Sequence, residues 1–134
     1  MIEVRFEGRP GVSASWVRKI IAAVLKAEKA KRRSVGVLLT GNRQIRRLNK
    51  RHLGHDYATD VISFGYGEPA TFGDLVVSFE MARSFAAGLG IRYREELGRY
   101  LVHGMLHLLG YDDQKDTARR RMHRRQETIL KEVL

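Results

Sequence analysis

Cysteine is absent from the 134-residue chain, which excludes a disulfide scaffold and any thiolate metal site. A bound metal would therefore have to be held by histidine and carboxylate. The lack of thiols is compatible with a cytosolic protein. No apolar run approaches the roughly 20 residues of a membrane span. The first residues, Met1-Ile2-Glu3-Val4-Arg5-Phe6, alternate as a strand does and lack the apolar core of an export signal. The expectation is a soluble protein of the cytoplasm with no membrane partner. Proline occurs twice, at Pro10 and Pro69, both in stretches that read as turn or loop. Acidic residues are also scarce: 15 Asp+Glu stand against 25 Lys+Arg, for a net charge of +10. An excess of that size in a small domain points to a polyanionic partner, nucleic acid first, against the plainer reading of a solvated basic surface.

What is present suffices for one domain spanning residues 1–134. Hydrophobic residues make up 43% of the chain, enough for a real core, and there is no repeat, low-complexity segment or linker. Residues 2–7 alternate as a strand, and Gly8-Arg9-Pro10-Gly11 is a turn. Ser13 or Ser15 can cap a helix whose apolar stripe is Val17, Ile20, Ile21, Val24 and Leu25, and which runs out in Lys31-Arg32-Arg33. Ser34 to Thr40 reads as a strand buried on both faces. A short basic helix follows from about Arg43 to Arg51, with Ile45 and Leu48 inward, and then a polar loop over 52–59. Strands are expected over Asp60–Tyr66 and Asp74–Phe79, joined by a loop over 65–69 and paired antiparallel because the gap is short. The glycines between them precede no Lys-Ser/Thr and form no phosphate loop. A helix from Glu80 to Gly88 should bury Met81, Phe85 and Ala82.

The long helix predicted from about Tyr93 to Leu109 carries the chemistry. Leu97, Leu101, Val102, Met105, Leu108 and Leu109 make its apolar face, and Glu96, Arg99, His103 and His107 a separate polar stripe. His103 and His107, four residues apart, lie one above the other on such a helix and can reach one cation. Gly110 stands where a helix needs a left-handed stop, and Asp113 follows as a third donor. The pattern His-x3-His-x2-Gly-x2-Asp resembles the metzincin zinc signature, whose third position is usually His. Zincin peptidases carry a general-base Glu directly after the first His, where this chain has Gly104. The plain alternative is a chance pair of surface or core histidines. A last helix, Asp116 to Leu134, crowds Arg119, Arg120, Arg121, Arg124 and Arg125 near its start above a thin inward stripe of Met122, Ile129 and Val133. Cations there oppose the helix dipole, a mismatch that a bound anion would relieve.

Taken together, these segments resemble the YbeY family, bacterial rRNA maturation factors described as metal-dependent endoribonucleases. The matching stretches are Leu48-Asn49, Thr59 to Phe64, Gly73 to Val76 and His103 to Asp112. The resemblance implies a zincin-like α+β fold with a mixed four-stranded sheet, packed helices and a zinc ion on the long helix. It also implies a single-strand-specific endoribonuclease acting in maturation of the small-subunit rRNA 3′ end and in ribosome quality control, with rRNA and the ribosome or its small subunit as partners. Two positions depart from the family. Its motif usually closes on a third His where this chain has Asp113, a harder donor that moves metal preference away from zinc alone. A Tyr-Arg pair is usual where this chain has His52-Leu53, and Leu53 cannot hold phosphate.

The expected site is one divalent metal, zinc first, on His103, His107 and Asp113, with RNA held by Arg51, Arg119, Arg120 and Arg124. No catalytic base is singled out; Asp60, Asp74 and Asp112 qualify by type alone. The alternatives are a non-catalytic rRNA- or ribosome-binding factor with a structural metal, which Leu53 favours, and a zinc peptidase, which Gly104 and the basic balance oppose.

Overall fold

The computed structural model describes residues 1–30, 34–68 and 71–134, with backbone only at 67, 68, 71 and 72. The elements follow as β1 (Ile2–Phe6), α1 (Ala14–Ala27), β2 (Val35–Thr40), α2 (Asn42–Leu53), β3 (Val61–Glu68), β4 (Thr71–Ser78), α3 (Phe79–Leu89), α4 (Tyr93–Leu108) and α5 (Asp116–Val133). The strands form one mixed sheet in the order β1-β2-β4-β3. β1, β2 and β4 run parallel, and β3 is antiparallel to β4 at the edge. This is the α+β arrangement with a mixed four-stranded sheet that the family resemblance implied.

Alternation along the strands assigns the two faces of the sheet. Val35, Val37, Leu39, Leu75 and Val77 join the main core with α1, α3, α4 and α5. Leu38, Ile62, Phe64 and Val76 point the other way, under Ile45 and Leu48 of α2. The sheet thus separates a thick helical layer carrying α4 from a thin layer made by α2.

Local sequence sets most of the ends. The Ser13 hydroxyl accepts the Trp16 N–H at 3.0 Å, so Ser13 is the cap of α1 and Ser15 is not. α2 begins at Asn42, whose N–H donates to Glu80 Oε1 at 2.7 Å, and ends on Gly54 at φ +72°. It is therefore longer than the 43–51 expected, and the polar loop starts only at Gly54. The Ser78 hydroxyl accepts the Met81 N–H at 3.1 Å and draws Phe79 out of β4 into α3.

Four expectations need correction. The stretch Gly65-Tyr66-Gly67-Glu68, expected as loop, is strand: pairing with β4 continues through Gly65↔Gly73 to Glu68↔Thr71. Glycine there serves packing, since a Cβ at Gly73 would meet Phe64 O at 2.6 Å and Leu108 Cδ2 at 2.7 Å. Phe85 is not buried by α3 but 51% exposed; the inward stripe is Phe79, Ala82 and Ala86, at spacings of three and four. Glu96, placed on an open polar stripe, is buried, and Gln126 and Leu130 join Met122 and Ile129 inside α5, where Val133 is only half-buried. The basic run Lys31-Arg32-Arg33 and Pro69 lie outside the described residues.

Candidate metal centre

α4 is buried around most of its circumference, and its remaining polar stripe divides in two. Near the N-terminal end, α5 closes over it: Arg99 bonds Glu127 through Nε and Nη2, both at 3.0 Å, and reaches Glu96 at 2.5 Å and Glu95 at 3.1 Å. Those carboxylates hold the Arg99 guanidinium well above its ordinary pKa, and the guanidinium in turn holds Glu127 below the usual carboxylate range. Further along, the stripe opens into a cleft of about 470 Å³ lined by Leu53, Asp60, Val61, Ile62, Ser63, Gly65, His103, His107, Leu108 and Asp113.

The end of α4 brings the third donor back. The Gly110 N–H donates to His107 O and the Tyr111 N–H to Leu106 O, both at 3.0 Å, with Gly110 at φ +99°. This pair of bonds is a Schellman termination. The Asp112 carboxylate then accepts the Gln114 N–H at 2.9 Å, an Asx turn that steadies the loop carrying Asp113. Asp113 Oδ2 ends 3.2 Å from His107 Nε2 and 3.7 Å from His103 Nε2. One donor atom from each of the three residues lies within 4.8 Å of the others.

The other ring nitrogens are taken. His107 Nδ1 lies 3.1 Å from the Tyr111 carbonyl, an oxygen that can only accept, so Nδ1 carries the proton. His103 Nδ1 lies 2.7 Å from Gln126 Oε1. The amide orientation follows from its other end, since Gln126 Nε2 donates to Glu127 Oε2 at 3.0 Å. Both Nδ1 atoms thus donate, and both Nε2 atoms lie on the side of Asp113. The ring centroids are 4.7 Å apart and nearly perpendicular. Two imidazole nitrogens and one carboxylate, each oriented by an outer hydrogen bond or turn, fit a single divalent cation.

Gly104 follows His103 and faces the sheet. A Cβ there would meet Val61 Cγ2 at 2.8 Å and Leu75 Cδ2 at 3.0 Å. The Ser63 hydroxyl donates to the Gly104 carbonyl at 3.0 Å. No glutamate fits at this position, so the general base of a zincin peptidase has no place here.

Among the three acids considered as base, only Asp60 lines the cleft. Its Oδ1 accepts the Val61 N–H at 2.7 Å and the Thr59 hydroxyl at 3.1 Å. Asp112 holds its turn. Asp74 lies on the opposite face of the sheet, beside Leu38, Phe64 and Val76, where the Tyr66 hydroxyl donates to it. Of the expected RNA contacts, Arg51 is exposed on α2 but does not line the cleft, whereas Leu53 does. Arg119 is paired with Asp116 at 2.7 Å. Arg120 and Arg124 are exposed and have no carboxylate partner among the described residues. Sequence reasoning missed Gln126; its one signal is a polar side chain at the 122–126–129 spacing of an otherwise apolar stripe.

The chain is similar to several known proteins. A family model described as "Endoribonuclease YbeY" matches residues 10–134. The chain is 36% identical to the endoribonuclease YbeY of Chlorobaculum parvum over 91% of its own length and 87% of that protein's. It is 35% identical to that of Chlorobaculum tepidum, over 89% and 88%. The solution structure of TM1509 from Thermotoga maritima superposes with a TM-score of 0.73 at 26% identity, covering 99% of this chain and 89% of that one.

Proposed function

The chain belongs to the YbeY endoribonuclease family, and we propose that it hydrolyses single-stranded RNA with one divalent cation held by His103, His107 and Asp113. The observation that carries this reading is the openness of the three-donor set. The His103, His107 and Asp113 side chains are 27%, 30% and 41% exposed on a cleft. A structural zinc site is closed by four protein ligands; three on an open cleft leave a position for water.

A cation bound there supplies Lewis acidity toward a phosphoryl oxygen and lowers the pKa of water toward neutrality. The chain's own groups do the rest. Nδ1 donation to Gln126 and Tyr111 keeps both imidazoles in the tautomer that presents Nε2. Asp60, fixed through one oxygen by the Val61 N–H, is the cleft carboxylate outside the donor set, and its place in the cleft supports assigning it the proton from water. Arg51, Arg119, Arg120 and Arg124 hold backbone phosphates as the strand approaches. Zinc is the first choice of metal, with Asp113 widening the set toward harder cations.

The finer reading extends to maturation of the small-subunit rRNA 3′ end and ribosome quality control, with the ribosome or its small subunit as partner in the cytoplasm. It rests on family membership, on the net charge of +10 and on the absence, among the described residues, of a helix long and apolar enough to cross a membrane. One observation favours a second reading, a non-catalytic rRNA-binding factor with a structural metal: the side chain at the cleft lip is Leu53, not a cation. Incubation of purified protein with rRNA precursor, with and without chelator, separates the two. The nuclease reading expects cleavage that chelator and His103→Ala each abolish. Binding without cleavage supports the second reading.

A further inference from the structure

The loop that leads from α2 to β3 is held rigidly and yet displays apolar surface. Asn49, buried on α2, donates from Nδ2 to the Tyr57 carbonyl at 2.9 Å, and its own carbonyl accepts the His55 N–H at 3.3 Å. Asp56 is anchored by Arg46 at 2.9 Å and Lys50 at 3.9 Å. These bonds fix the backbone from 54 to 57 against α2. The side chains do not turn inward: Leu53 is 51% and Tyr57 55% exposed. The His55 and Tyr57 rings stack on each other, with centroids 5.3 Å apart and planes 10° from parallel. Leu53 lines the cleft that contains His103, His107 and Asp113, and His55 and Tyr57 follow it within four residues of chain. The cations Arg46, Lys50 and Arg51 stand against the single acid Asp56 along the same turn and loop, leaving it net positive.

A fixed, exposed aromatic pair beside an apolar lip, within a positive surround, matches what single-stranded RNA presents: an unstacked base with an apolar π-face between charged phosphates. We propose that Leu53, His55 and Tyr57 form a nucleobase platform. It receives one unpaired base of an RNA strand whose neighbouring phosphate lies at the metal centre. The inference rests on the endoribonuclease reading and adds to it a physical reason for single-strand selectivity. A base in a duplex has both faces covered and cannot be taken up, and the uncharged Leu53 becomes a contact to the base in place of one to phosphate.

The test is binding, measured without metal so that cleavage plays no part. Fluorescence anisotropy would follow chelator-treated protein with a labelled RNA strand of roughly eight nucleotides, a duplex of the same sequence, and strands carrying one abasic site at each position in turn. Tyr57→Ala should weaken strand binding about tenfold or more and leave duplex binding unchanged, while Tyr57→Phe keeps most of the affinity. One abasic position should weaken the unaltered protein and have no effect on Tyr57→Ala. Thermal melting of each variant guards against loss of fold, and Leu53→Ala, which removes no stacking ring, gives an independent arm with a smaller loss. Equal abasic profiles for the unaltered protein and Tyr57→Ala would overturn the platform, as would equal losses on strand and duplex. The nuclease reading fails by a different result, the absence of cleavage with every divalent metal, which leaves the binding profile intact.

Discussion

Gln126 on α5 accepts a hydrogen bond from His103 on α4 across 2.7 Å, and its amide is fixed at the other end by Glu127, which Arg99 holds. A chain of polar contacts thus runs from a half-buried ion-pair cluster to the ring that faces the cleft. Removing Gln126 leaves His103 Nδ1 without its acceptor and frees the ring to rotate and change tautomer. Gln126→Leu is expected to lower divalent-metal affinity by about 10- to 100-fold, with little change in melting temperature. Competition with a chromophoric chelator measures it, and Gln126→Glu, which keeps an acceptor, should recover most of the affinity.

Gly104 allows α4 to lie against β3 and β4. Gly104→Ala places a methyl group against Val61 and Leu75 and is expected to cost about 1–3 kcal/mol, although alanine is the better helix former. Thermal and urea unfolding would register it. Gly104→Glu should fail to fold, not acquire peptidase activity.

Arg99 carries a pH dependence. Glu127 is held below its ordinary pKa by Arg99, so it binds its proton more weakly folded than unfolded. Its stabilising contribution is present above the ordinary carboxylate range and is lost as pH falls through and below it. Arg99→Ala leaves Glu96 buried without its cation and should cost about 2 kcal/mol at neutral pH. The gap between variant and unaltered protein should narrow as acid protonates the carboxylates. Urea midpoints at neutral pH and near the lower edge of the carboxylate range test the sign.

Arg120 and Arg124 lack acidic partners among the described residues and are free to meet phosphate. Replacing both by alanine should flatten the dependence of RNA affinity on salt, by about 0.7 in the log–log slope for each phosphate that is no longer neutralised. An unchanged slope would move the RNA path away from α5.

The grouping of His103, His107 and Asp113 was legible because helical spacing and a glycine stop are local facts: the three residues and Gly110 fall within one helix end and the loop that follows. The individual strands and the long helix were legible from alternation and apolar periodicity, whereas the mixed four-stranded sheet followed only from the family resemblance. What escaped depends on partners distant in the chain. Gln126 is 23 residues from His103 and meets it only when α5 folds over α4. Glu96 looked like a surface acid because its cation, Arg99, is shared with Glu127 from another helix. Gly65 resembled a loop residue, yet it sits paired with Gly73 in a ladder pressed against Leu108. Asp74 is acidic and close in sequence to the site's strands, but the two-residue period of β4 turns it to the other face. Phe85 is apolar by type, and only the phase of α3 shows that it faces out.

The central claim is that His103, His107 and Asp113 together hold a divalent cation on which the chemistry depends. Elemental analysis of the purified native protein beside His107→Ala and Asp113→Ala tests it most directly. The account predicts one divalent ion per chain in the native protein and a large loss in both variants, each still folded by circular dichroism. Full metal content in the two variants would contradict it.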